Sequence, residues 1–206
     1  MVADSEPLDR PYLVPEEEVV LRVKALEALV LEKGLVSSDA LDRIAAHYED
    51  EVGPRHGARV VARAWVDPEF KQRLLDDATA ACEELGVQGL RGEHLRAVEN
   101  TSDVHNVVVC TLCSCYPWSV LGLPPSWYKS PEYRAKVVLE PRKTLADDFG
   151  LTVPDEVSVR VWDSNSELRY FVVPERPEHA EDMSEDQLAE LVTRESMIGV
   201  GAVAAP

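Results

Sequence analysis

A loop carrying three cysteines within six residues, directly after a run of valines, constrains this chain more than any other feature. Val107-Val108-Val109 runs into Cys110-Thr111-Leu112-Cys113-Ser114-Cys115, and Tyr116-Pro117-Trp118 follows. The apolar run predicts a buried strand over 104–109, so the fold has to bring three sulfurs together at one strand end. The N-terminus, MVADSEPLDRPYLVPEEE, has no apolar stretch of the kind a secretory signal needs. The expected compartment is therefore the cytoplasm, where thiols stay reduced and clustered cysteines point to a metal or a redox site.

Charge removes other classes. With a formal net charge of -17 the chain is a poor ligand for nucleic acid or an anionic membrane surface. No stretch approaches the length of uncharged apolar sequence that crosses a bilayer. The 206 residues, 45% of them hydrophobic, are enough for one substantial core.

Along the chain, Pro7, Pro11 and Pro15 among acids predict an extended arm over residues 1–15. A single domain follows over 16–206, helical over 16–86 and holding the metal site and strands over 87–206. Val19, Val23, Leu26 and Val30 recur at the helical period before Gly34. Ser38 is the expected cap of a second helix with Leu41, Ile44, Ala45 and Tyr48 on its apolar face, ended by Gly53-Pro54. A third, shorter helix is expected through Arg59 to Trp65. Asp67-Pro68 opens a helix that carries Phe70, Leu74, Ala78, Ala81 and Leu85 inward as far as Gly86, with Cys82 as ordinary core. Ser130-Pro131 starts another, broken or ended near Pro141, and Ser184 with Gln187 forms a capping box. Val157, Val159 and Val161 alternate with polar residues, and Leu168 to Val173 reads as the return strand of a hairpin. Helices first and strands later give an α/β chain of the α+β kind.

Three readings of the cysteines compete. Structural zinc wants four tetrahedral ligands, commonly two separated pairs, and only the single upstream residues His94 and His105 could complete a set. A thiol–disulfide site wants a helix starting at the C-x-x-C, which Pro117, Pro124 and Pro125 block. The third reading uses the backbone: the Cys113 sulfur, the Ser114 and Cys115 amide nitrogens and the Cys115 sulfur close three fused chelate rings in one plane. Cys110 then supplies an axial sulfur and the opposite face stays open. Deprotonated amides require a strongly polarising ion, such as trivalent low-spin cobalt or iron.

The segment V-C-T-L-C-S-C-Y-P-W resembles the metal-binding signature of the nitrile hydratase alpha subunit. The resemblance extends to Glu49–Pro54, to A-W-V-D-P-E-F at Ala64–Phe70, to V-R-V-W-D-S-N-S-E-L-R at Val159–Arg169 and to T-R-E-S-M-I-G-V at Thr193–Val200. It implies a four-layer α/β/β/α subunit with N-terminal helices and mixed sheets, paired with a beta subunit, commonly as α2β2, and loaded by a metallochaperone or activator. Thr111 after the first cysteine implies one Co(III) per alpha subunit; Ser there would imply Fe(III). Cys110, Cys113, Ser114 and Cys115 are the implied ligands, with Cys113 oxidised to the sulfinic and Cys115 to the sulfenic acid, held by arginines of the partner. Cys113, Ser114 and Cys115 are the catalytic group that the resemblance implies. The implied reaction hydrates a nitrile to an amide, with either the Cys115 sulfenate oxygen or an activated water as nucleophile. Trp118 is a candidate pocket residue, and Arg169 a candidate to position a loop or partner. Leu90-Arg91-Gly92-Glu93 departs from the family's L-Q-G-E, so Arg91 places a cation behind the ligands where an amide is usual. A thiocyanate hydrolase metal subunit shares the cysteine motif, and a cobalt carrier is a third possibility.

Overall fold

The computed structural model describes residues 16–46, 54–87 and 93–204. The chain divides into two compact units, residues 1–45 and 46–206. In the first, α1 (Glu16–Glu32) and the start of α2 (Ser38–Ala46) are the described elements. The helical period predicted α1, and most of its apolar side chains are exposed, Val23 at 58% and Leu26 at 61%. The α2 cap is Ser37 rather than Ser38, its hydroxyl accepting from the Ala40 N–H at 3.2 Å. Tyr48 and Glu49–Gly53 lie outside the described residues, as does the expected arm.

The second unit is built on α3 (Pro54–Val66), α4 (Pro68–Asp76), α5 (Ala78–Glu84), β1 (His94–Glu99), β2 (Val104–Val109), α6 (Trp118–Leu121), α7 (Pro131–Leu139), α8 (Pro141–Phe149), β3 (Ser158–Asp163), β4 (Leu168–Val173), α9 (Glu185–Leu191) and α10 (Arg194–Ile198). Caps set many of these boundaries. Asp67 accepts from the Phe70 N–H at the start of α4, Ser130 from Tyr133 at the start of α7, and Ser184 and Gln187 close the expected capping box on α9. The helix expected to run from Asp67 to Gly86 is two helices, because Asp77 caps a new start by accepting from the Ala80 N–H. The last helix likewise stops at Leu191, and Thr193 caps α10.

The expected hairpin does not form. β3 pairs in parallel with β2 and β4 in parallel with β1, so the short connection between β3 and β4 passes from one two-stranded sheet to the other. Parallel pairing requires a long crossover, and α6, α7 and α8 provide it between β2 and β3. The apolar run and the alternation identified β2, β3 and β4 but contain no information on their partners, and β1, mixed in composition, was not read at all. Val98, Val108, Trp162, Tyr170 and Val172 bring all four strands together in one small cluster. The opposite parity, Leu95, Ala97, Val107, Val109, Phe171 and Val173, joins the main core with residues of α3, α4, α5, α7, α8 and α10. Helices thus back each sheet and the sheets meet on their other faces, in the order helix, sheet, sheet, helix.

One buried polar residue locks this joint. Asn106, 2% exposed in the middle of β2, donates to the Glu99 carbonyl at 2.7 Å and accepts from the Trp162 indole N–H at 2.8 Å. Both ends of its amide are therefore satisfied, by partners on the strands to either side, as burial requires.

Candidate metal centre

The cysteine loop begins where β2 ends. Cys110 is fully buried, Cys115 nearly so, and Cys113 between them is exposed. The Cys113 sulfur lies 3.5 Å from that of Cys110 and 3.1 Å from that of Cys115, and all three sulfurs fall within 4.8 Å of one another. Metal–sulfur bonds of about 2.3 Å separate two sulfurs by about 3.3 Å at a right angle and about 3.8 Å at the tetrahedral angle. The 3.1 Å separation fits the right angle, and the 3.5 Å separation falls midway between the two. Among the described residues no fourth histidine, cysteine or carboxylate joins the group. His94 is exposed on β1, and the His105 Nε2 sits 2.8 Å from the Gly199 carbonyl, so neither completes a zinc set. No helix starts at the cysteines either, since α6 begins only at Trp118.

Main-chain nitrogens lie close to the same sulfurs. The Cys113 N–H donates to the Cys110 sulfur at 3.3 Å, and the Ser114 and Cys115 main chain lies beside the Cys113 sulfur, where it favours the thiolate. Successive amides converging on one concavity form an anion-binding nest. Hydrogen bonds with Cys115 and then Cys110, aided by those two amides, hold the Cys113 thiol down at about 7. Burial pushes Cys115 up to about 12. The donor set is therefore three sulfurs plus amide nitrogens beside them, which suits an ion with right-angle coordination and a preference for strong nitrogen donors.

Several residues hold the loop that the sequence did not single out. Asp163, at the end of β3, accepts from the Thr111 N–H at 2.9 Å and from the Thr111 hydroxyl at 2.5 Å. The Ser164 N–H donates to the Val109 carbonyl at 2.7 Å. Tyr128 donates to the Cys115 carbonyl at 3.2 Å and Arg134 to the Cys113 carbonyl at 3.1 Å. Tyr133 anchors α7 beside them by donating to the Val108 carbonyl at 2.7 Å. An acid ending an alternating strand was the available signal for Asp163; Tyr128 and Arg134 carried none, because only the fold brings them back to the loop.

The remaining candidates sit as follows. Ser114 is exposed within the loop. Trp118 opens α6 and packs, partly buried, on the main core. Arg169, on β4, pairs with the buried Glu93 carboxylate at 3.2 Å and donates to the Ser166 carbonyl; its recorded partners are thus not in the cysteine loop. Arg91 lies outside the described residues. Cys82 is core on α5, its thiol pushed up to about 12 by burial.

A family model described as nitrile hydratase, alpha chain, matches residues 17–201. The low-molecular weight cobalt-containing nitrile hydratase subunit alpha of Rhodococcus rhodochrous is 60% identical over 92% of this chain and 91% of that one. Thiocyanate hydrolase subunit gamma of Thiobacillus thioparus is 44% identical, over 85% of this chain and 76% of its own. Among solved structures, a double mutant of the Fe-type nitrile hydratase from Comamonas testosteroni Ni1 superposes with a TM-score of 0.83 at 40% identity, covering 94% of each chain. The strand-end cysteine nest, the sheet pairing that frames it and a match along nearly the whole chain agree: this chain belongs to the nitrile hydratase alpha-chain family.

Proposed function

We propose that this chain is the metal-bearing alpha subunit of a cobalt nitrile hydratase, hydrating nitriles to amides together with a beta subunit in an α2β2 assembly. The observation that carries the reading is the cluster of Cys110, Cys113 and Cys115 sulfurs within 4.8 Å, with the Ser114 and Cys115 main chain beside it. Cys110, Cys113 and Cys115 would hold one Co(III) through sulfur, and Ser114 and Cys115 through main-chain nitrogen. A trivalent ion held there supplies Lewis acidity toward the nitrile.

The chain's own groups do the rest. Cys110, buried, anchors the cradle as a plain thiolate. Cys113 and Cys115 carry the sulfinic and sulfenic oxygens, which need cationic forks from the partner because Arg134 is engaged with a carbonyl on this side. Trp118 borders the substrate pocket beyond Cys115. Asp163, through Thr111, keeps the loop from folding over the open face.

Exposed apolar residues support the partnership. Leu112 at the loop tip is 86% exposed, and Leu21 on α1 is 66% exposed; obligate partners bury such surface, commonly more than about 2,000 Å². The four free cysteines fit a reducing cytoplasm, where an activator protein would deliver the metal.

The test is co-expression with the partner subunit in cobalt-supplemented medium, followed by metal analysis and assays with acrylonitrile, an aromatic nitrile and thiocyanate. Near-stoichiometric cobalt and amide formation are expected, with no activity from the chain alone. Zinc without cobalt would overturn the proposed centre, and thiocyanate turnover without nitrile hydration would assign the hydrolase activity instead.

A further inference from the structure

Two ligands in the proposed cradle are main-chain nitrogens, and a main-chain ligand has no rotamer of its own. Its direction is set by whatever holds its peptide plane. A trans peptide is planar, with N–H and C=O on opposite sides. The Cys113 carbonyl accepts from the Arg134 Nη1 at 3.1 Å, so the Ser114 nitrogen of the same peptide faces the opposite way, away from Arg134.

The arm that presents Arg134 is well braced. Ser130 caps α7 by accepting from the Tyr133 N–H at 3.1 Å. Tyr133 is pinned to the Val108 carbonyl at 2.7 Å and stacks edge-on against Trp127 and Phe149. The Arg134 Nε also leans on the Ser130 carbonyl at 3.4 Å. One turn of helix thus fixes both the end of β2 and the outer side of the Cys113–Ser114 peptide.

We propose that Arg134 is a positioning residue for the metal centre: it holds the Cys113–Ser114 peptide with its nitrogen toward the sulfurs and offsets negative charge spread onto the Cys113 oxygen. The charge argument follows from resonance. An amide that binds a metal through nitrogen shares its charge with its own oxygen, through the conjugation that makes the peptide planar. Three anionic sulfur ligands and two such amides carry more negative charge than a trivalent ion supplies positive, and a guanidinium on the amide oxygen is a permanent cation at the right place. Lysine would keep the charge with a poorer fit, and glutamine would keep a donor without the charge.

This inference rests on the proposed amide ligation, so the experiment separates the two. The parent complex and its Arg134→Lys and Arg134→Gln variants are expressed with the partner subunit under limiting cobalt(II) chloride. Cobalt per chain, the visible charge-transfer bands and the thermal unfolding of the cobalt-free complexes are then measured. We expect Arg134→Gln to lose cobalt about tenfold, the weight of one charge-assisted hydrogen bond, and to shift the bands of whatever cobalt it keeps. Arg134→Lys should retain most of both, and the cobalt-free forms should melt within a few degrees of one another. Full cobalt and unshifted bands in Arg134→Gln would overturn the inference. So would a cobalt deficit matched by an equal loss of folded cobalt-free protein, since Arg134 would then merely brace α7. A parent complex without cobalt or its bands would instead overturn the underlying centre.

Discussion

Removing the Asp163 carboxylate tests whether the sheet holds the cysteine loop. Its two oxygens take the Thr111 N–H at 2.9 Å and the Thr111 hydroxyl at 2.5 Å. Hydrogen bonds to charged groups contribute about 1.5–3 kcal/mol each where sheltered. Asp163 and Thr111 are exposed, and water replaces part of the loss, so Asp163→Ala should cost about 2 kcal/mol in all. For a unit of this size that lowers the melting temperature by about 4–8 °C. Asp163→Asn should cost under half as much: its amide oxygen keeps the Thr111 N–H, and the hydroxyl can turn to accept from the amide nitrogen. Calorimetry of the cobalt-free protein measures both, and cobalt content reports whether the loop still closes. If Asp163→Ala melts within about 1 °C of the parent and carries the same cobalt, the loop is set by its own cysteines and the reasoning fails.

Other outcomes follow from the same geometry. Mass spectrometry of the loop peptide from active complex should show two added oxygens on Cys113, one on Cys115 and none on Cys110; three unmodified cysteines in active enzyme would contradict the proposed chemistry. In the metal-free protein, hydrogen bonding holds the Cys113 thiol down at about 7 and burial pushes Cys115 up to about 12. The thiolate is the reactive form, so alkylation of Cys113 should rise as pH passes through about 7 while Cys115 stays unreacted far above it. Equal labelling of the two at pH 8 would refute the assigned order.

How much of this could be read in the sequence follows the range of each cause. Caps act within four residues, so Asp67, Ser130 and the Ser184–Gln187 box were legible and are where they were expected. Asp77 acts at the same range, but it lies inside a continuous apolar helical pattern, and that pattern masked the break. The loop's sulfurs were legible because their spacing leaves the chain little freedom to separate them. Strand partners were not legible: the valines of β3 suit either an antiparallel neighbour or a parallel one, and the choice depends on the helical crossover and on β1. The apolar stripe of α1 was legible as a stripe, but its exposure was not, because period does not say which surface covers it.

Strand register explains why the metal loop needs the whole fold. In the parallel pair of β2 and β3, Val109 stands opposite Asp163, so the last residue before Cys110 and the acid that grips Thr111 are aligned by the pairing itself. A slip of one residue would turn Asp163 to the other face of the sheet and leave Thr111 unheld. Asn106 opposes that slip, since its side chain is fitted to Glu99 on one strand and Trp162 on another. The crossover between β2 and β3 then returns Tyr128, ahead of α7, and Arg134, on α7, to the carbonyls of Cys115 and Cys113. Every grip on the loop comes from behind or beside it, and the outward side keeps Leu112 and Cys113 in the open. The chain thus builds the floor and walls of a cradle and leaves Leu112 exposed at its rim, the side where the proposed partner subunit would meet it.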